Sequence, residues 1–242
     1  MAGATDGGSV RPLRVEELGL LPYAEALEIQ RALRRRRIEG TLAEDVLLLV
    51  EHPPVITLGR GTRASSLPLA PAALEHRGVE VFEVERGGDV TLHAPGQLVG
   101  YPILDLRQHR QDLHWYLRSL EDVLIQALGG LGIEADRNPG RTGVWTAGRK
   151  IASIGIHVKQ WVTLHGFALN VLTELDLFDL IVPCGIPQVV MTSVAAELLR
   201  EGDAALMPSV RERVVGAFGE VFGMSVGNHP AGRGVRGAGL HV

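Results

Sequence analysis

Apolar positions along the chain recur with two periods, and each period assigns a set of elements. Between Pro22 and Glu39 (PYAEALEIQRALRRRRIE) the residues Tyr23, Ala26, Leu27, Gln30 and Leu33 fall on one side of a helix. Pro22 suits a first helical turn, and the run Arg34 to Arg37 complements the dipole at the other end. That arginine run is either a solvated helix end or a docking patch for an acidic partner. A stronger helical period covers 109–128, with Leu113, Tyr116, Leu117, Leu120, Leu124 and Ala127 on one face and Gly129, Gly130 and Gly132 closing it. Residues 193–200 and 207–222 read as two further helices, and 61–76 as loop with a short helical piece.

The strand period predicts Val46–Glu51 and Val55–Arg60, broken by Pro53-Pro54. Val79–Glu85, Thr91–His93 and Leu98–Leu104 follow, the last two joined by an Ala-Pro-Gly turn. Val144–Thr146, Ile151–Val158 and Trp161–Asn170 complete the set, with Lys159-Gln160 as a hairpin turn. Strands and helices do not alternate regularly, and at least two strand pairs read as hairpins. The expected fold is therefore α/β (α+β): one domain, with a mixed, largely antiparallel sheet flanked by helices. Residues 1–10 are expected to form a flexible leader, 11–224 the domain, and 225–242 a Gly-rich flexible tail.

Composition narrows the function. At 242 residues the chain is long enough for a substantial core. Lys plus Arg number 24 and Asp plus Glu 28, a formal net charge of −4. That balance, with 11 aromatics, argues against a nucleic-acid binder. No segment has the length and apolarity of a membrane span or the layout of a secretory signal, so a cytoplasmic protein is expected. Cys184 is the one cysteine, which excludes an internal disulfide and a cysteine-based zinc site; with no HxH, HExxH or carboxylate cluster, no metal is expected.

Three stretches carry candidate chemistry. Arg86-Gly87-Gly88-Asp89-Val90-Thr91-Leu92-His93-Ala94-Pro95-Gly96-Gln97 pairs a Gly-Gly that lets backbone approach a ligand with polar groups at either end. His93 is placed to hydrogen-bond an oxyanion or orient another group, although a structural hairpin turn explains the segment equally well. In Arg149 to His157, a strand would put Lys150 on a face with Ala152, Ile154 and Ile156, where its ammonium is desolvated; Gly166-Phe167-Ala168-Leu169-Asn170 is the partner strand. In Val182-Pro183-Cys184-Gly185-Ile186-Pro187 the single cysteine sits in a Pro/Gly-bounded loop, either as a buried small hydrophobe or as a nucleophile. The chain has no Walker loop, no GxGxxG after a strand and no GxSxG.

In this order, RGGDVTLHAPGQ, KIASIGIHV with GFALN, and VPCGIP resemble the octanoyltransferase family of lipoate biosynthesis, the lipoyl(octanoyl) transferases, from about residue 46 to 200. The resemblance implies a fold similar to the lipoate and biotin protein ligase catalytic domains. It implies transfer of an octanoyl group from octanoyl-loaded acyl carrier protein to a lysine of lipoyl domains, those of 2-oxoacid dehydrogenase complexes and the glycine cleavage H protein. No cofactor, nucleic acid or membrane is implied. Residue by residue, Cys184 corresponds to the acyl-thioester nucleophile and Lys150 to the group that activates it. Arg86, Gly87, Gly88, Asp89, Val90, Thr91, Leu92 and His93, with Ser153, Ile154, Gly155, Gly166, Phe167 and Ala168, correspond to the acyl-pocket segments. Two other readings compete: an ATP-dependent lipoate or biotin ligase, which needs no nucleophilic cysteine, and a non-catalytic module that binds lipoyl domains.

Overall fold

The apolar runs at the centre of the sequence become the middle of an eight-stranded mixed sheet in the computed structural model, which describes residues 11–183 and 189–227. The chain order is β1 (Arg11–Leu20), α1 (Tyr23–Ile38), β2 (Asp45–Glu51), β3 (Val55–Leu58), α2 (Pro71–Glu75), β4 (Glu80–Glu83), β5 (Val90–His93), β6 (Gln97–Ile103), α3 (Leu113–Gly129), β7 (Asp136–Asn138), β8 (Arg141–Thr146), β9 (Arg149–Lys159), β10 (Val162–Asn170), α4 (Val194–Leu198), α5 (Leu206–Phe222) and β11 (Met224–Val226), with short single-turn helices between. Across the large sheet the order is β11-β1-β2-β6-β10-β9-β8-β7, and β4-β3-β5 form a second, small sheet. In the large sheet only β11–β1 and β1–β2 are parallel; the rest is antiparallel.

β6 and β10 are buried along their whole length and β2 along all but its last residue, because the sheet is covered on both faces. Alternation sends Leu47, Leu49, Leu98 and Leu169 to the side of α3 and α5. Val46, Leu48, Val99 and Ala168 go to the opposite side, beneath α1. The mixed sheet of a single domain stands as expected.

Local chemistry explains where the boundaries moved. α3 begins at Leu113 rather than near His109, because the Asp112 side chain caps it by accepting from the Trp115 N–H at 3.0 Å. The β9–β10 hairpin turns one residue later than expected, through Gln160 (φ 50°) and Trp161 (φ 62°), both in the left-handed region that matches the twist of a tight hairpin. Two corrections concern the ends. Residues 11–20, left unassigned by periodicity, form β1, with Leu13 and Val15 buried. The tail boundary expected at Ser225 falls inside β11, where Ser225 and Val226 pair with Pro12 and Leu13. Residues 1–10 and 228–242 lie outside the described residues.

The arginine run of α1 divides. Arg35 and Arg36 are exposed, whereas Arg37 is buried, and its Nη2 donates to Asp45 Oδ1 at 2.6 Å. Asp45 also accepts from the Asp105 N–H at 3.0 Å and contacts His109 Nε2 at 2.6 Å. This buried cluster ties α1 to the start of β2 and to the connection before α3.

Candidate active site

Beneath α1, three neighbouring strands carry small residues side by side. Ala168 of β10 lies between Val99 of β6 and Ser153 of β9, and Gly166 faces Gly155 one step along. The result is a trough. The Arg86–Thr91 segment, His93 and Tyr23 roof it, leaving a narrow cavity. A Cβ on Gly155 would lie 3.0 Å from Arg86 Cδ, so that glycine gives the Arg86 side chain its path across the strand. Arg86 is itself buried and donates to the Thr57 carbonyl at 2.7 Å. Asp89 accepts from Ser66 Oγ at 2.7 Å, and the Gly87 N–H donates to the Ile156 carbonyl at 2.8 Å, tying the roof to β9.

Of the residues expected at the pocket, Arg86, Gly88, Asp89, Val90, Thr91, His93, Ser153, Ile154, Gly155, Gly166, Phe167 and Ala168 line this cavity. Gly87 and Leu92 do not. Strand alternation turns Leu92 to the other side of the small sheet, onto Ile56, Leu74 and Phe178. Tyr23, Val99, Tyr101 and His165 line the cavity and were not anticipated. Val99 and Tyr101 share a strand face in the sequence, but nothing local says that this face meets β10.

The histidines here are neutral. Burial pushes the His93 pKa down to about 3, with the neighbouring His52 acting in the same direction. A chain of hydrogen bonds fixes its tautomer. Asn170 Nδ2 donates to the Thr192 carbonyl at 3.0 Å, so Asn170 Oδ1 accepts from Gln97 Nε2 at 2.9 Å. Gln97 Oε1 is thereby left to accept, at 2.8 Å, from His93 Nδ1–H. His93 Nε2 then carries a lone pair. In this tautomer the neutral ring offers no proton from that atom. His52, pushed down to about 4 by burial, donates from Nδ1 to the Leu21 carbonyl at 2.7 Å and accepts from the Tyr101 hydroxyl at Nε2, 2.8 Å.

Lys150, three residues before Ser153 on β9, is 1% exposed. Its Nζ stands 5.1 Å from the centroid of the Trp145 ring, within reach of a cation–π attraction. Gly143 (φ 131°) makes room for it, since a Cβ there would lie 3.0 Å from Lys150 Cε. The Lys150 N–H donates to the Val190 carbonyl at 2.8 Å, and its carbonyl accepts from the Thr192 N–H at 2.9 Å. On the other side, the Val182 N–H donates to the Ser66 carbonyl at 2.9 Å. Cys184 lies outside the described residues, and the expected Cys184–Lys150 dyad with it. Among the described residues, no group of three His, Cys, Asp or Glu side chains is arranged to hold a metal ion, and no helix is long and apolar enough to cross a membrane.

Residues 22–219 match the lipoyl protein ligase A/B catalytic domain family. An octanoyltransferase of Nostoc sp. is 50% identical over 208 residues, 86% of this chain and 91% of its own length. That of Rubrobacter xylanophilus is 51% identical over 207 residues, 85% of this chain and 91% of its own. Among solved structures, lipoate-protein ligase A bound with ATP superposes with a TM-score of 0.70 at 14% identity, over 91% of this chain and 89% of that one, a likeness of fold.

Proposed function

The chain belongs to the octanoyltransferases of the lipoyl protein ligase A/B catalytic domain family, and on that premise we propose that the octanoyl group passes through a thioester on Cys184, from an acyl carrier protein to a lysine of a lipoyl domain. The observation that carries this reading is the surroundings of Lys150. Lys150 is buried on β9 three residues before Ser153 of the trough, and the chain flanking residues 184–188 is held at Val190 by the Lys150 N–H and at Val182 by Ser66, whose hydroxyl donates to Asp89 of the trough lining.

The chemistry follows from these groups. A free cysteine has a pKa of about 8.5, and a nearby ammonium favours its thiolate. The Cys184 thiolate attacks the thioester carbonyl of the donor, the carbonyl–sulfur bond to the carrier breaks, and the departing thiolate takes up a proton from the Lys150 ammonium, which is left as a neutral amine. The octanoyl chain lies in the trough as an acyl-enzyme thioester. A neutral acceptor lysine then attacks that carbonyl, Lys150 accepts the proton released from the amine, and the Cys184 thiolate leaves. The amide is more stable than the thioester, so the transfer needs no ATP. With His93 Nδ1–H committed to Gln97, the oxyanion falls to backbone N–H donors.

Intact mass after incubation with octanoyl-loaded carrier protein tests the reading. Wild type gains one octanoyl group, and Cys184→Ala gains none and transfers none. Lys150→Ala acylates about 10²–10⁴-fold more slowly and recovers as the pH rises from 6 to 10. A Cys184→Ala protein that still transfers, or a Lys150→Ala protein with wild-type rates throughout, refutes the assignment. Transfer from free octanoate only with ATP would favour ligase chemistry.

A further inference from the structure

His165 has an unusual backbone. It sits inside β10 with φ 60°, in the left-handed region, between Leu164 and Gly166. Histidine is among the few non-glycine residues that tolerate this, and such a conformation persists only where its surroundings enforce it. Here the enforcing contact comes from α1: Gln30 Oε1 accepts from the His165 N–H at 3.1 Å. The consequence is that the ring, 2% exposed, lines the cavity. Its Nε2 is buried without a hydrogen bond, 3.8 Å from Glu85 Oε2. Burial lowers the His165 pKa, so the ring is neutral against the cavity. Behind it stands the Glu85–Arg31 ion pair at 2.8 Å, half-open to solvent, with Arg34 3.9 Å from the same carboxylate.

We propose that the His165 imidazole is the stop that sets acyl-chain length: it closes the end of the trough remote from Lys150, and the terminal methyl of the octanoyl group rests against it. This rests on the reading that the thioester forms beside Lys150. His165 pairs with Ile156, six residues beyond Lys150 on β9, or about 20 Å at roughly 3.3 Å per residue. The seven C–C bonds of an octanoyl chain, at about 1.5 Å each, span at most about 11 Å. Side chains that close the two ends take up the remainder. Two further methylenes have no place unless the ring is removed, and the wall behind it is a surface ion pair rather than packed core.

The test is chain-length selectivity. Octanoyl-, decanoyl- and dodecanoyl-loaded carrier proteins are compared by acyl-enzyme formation, followed by intact mass, in wild type, His165→Gly and His165→Asn. Glycine and asparagine both accept the left-handed backbone, so both variants keep the strand; thermal unfolding checks this. Wild type prefers octanoyl over decanoyl by about tenfold or more. In His165→Gly the decanoyl-to-octanoyl ratio of kcat/KM rises about tenfold, and His165→Asn falls between. A loss of overall rate from a damaged fold leaves that ratio unchanged. An unchanged ratio in both folded variants overturns the proposal while octanoyl transfer stands. A wild-type protein that forms no octanoyl adduct overturns the thioester reading, and the stop with it.

Discussion

Lowering the pH from 7.5 to 5 should destabilise this protein well before its carboxylates titrate. His52 and His93 are buried side by side, with ring centroids 5.7 Å apart. In the unfolded chain both bind a proton near pH 6.5; in the folded protein His52 resists until about pH 4 and His93 until about pH 3. Above pH 6.5 both rings are neutral in either state and contribute no pH dependence. Between pH 6.5 and 4 the unfolded chain holds more protons, so stability falls as the pH falls. Each histidine contributes about 1.4 kcal/mol per pH unit in that window. At pH 5 the pair therefore removes on the order of 4 kcal/mol, a large part of a typical domain's 5–15 kcal/mol. His157 and His165, also lowered by burial, act with the same sign. Glu85, which accepts from Arg31 at 2.8 Å and is held well below the usual carboxylate range, loses its contribution only at still lower pH. Urea unfolding at pH 7.5, 6.5, 5.5 and 5.0 measures the slope, and His93→Gln should remove close to half of the pair's share. A midpoint that stays flat from pH 7.5 to 5 would refute the neutral buried pair.

Three further outcomes follow from named contacts. Gly100→Ala would place a Cβ 2.1 Å from Phe167 Cζ and should cost about 1–3 kcal/mol in a denaturant melt, with Phe167→Leu restoring part of it. Asp45→Ala leaves Arg37 buried without its carboxylate and should cost about 3–5 kcal/mol by the same assay, with no change expected in acyl-chain preference. Ala168→Leu fills the middle of the trough; octanoyl acylation should fall more than about tenfold while a two-carbon acyl donor is spared, as read by intact mass.

Much of this protein is local and could be read along the chain. The helical face Tyr23, Ala26, Leu27, Gln30 and Leu33 is the buried face of α1. The helical period over 109–128 is α3, though its start at Leu113, set by the Asp112 cap, was not read, and the alternation in β9 and β10 marks a hairpin, because these patterns depend on neighbours a few residues away. Motif order was enough to indicate the octanoyltransferase family, and twelve of the fourteen expected pocket residues line one cavity. What the chain could not tell by itself depends on distant partners. β1 has its place only because β2 and β11 lie on either side, the latter more than two hundred residues away in sequence. That Gly87 and Leu92 stand off the cavity while Tyr23, Val99, Tyr101 and His165 line it was decided by which strand face met which layer. The proton on His93 was decided by carbonyl groups at Leu92 and Thr192 acting through Gln97 and Asn170. Periodicity says that a strand has two faces; only the non-local hydrogen bonds and packing of the whole sheet say what each face meets.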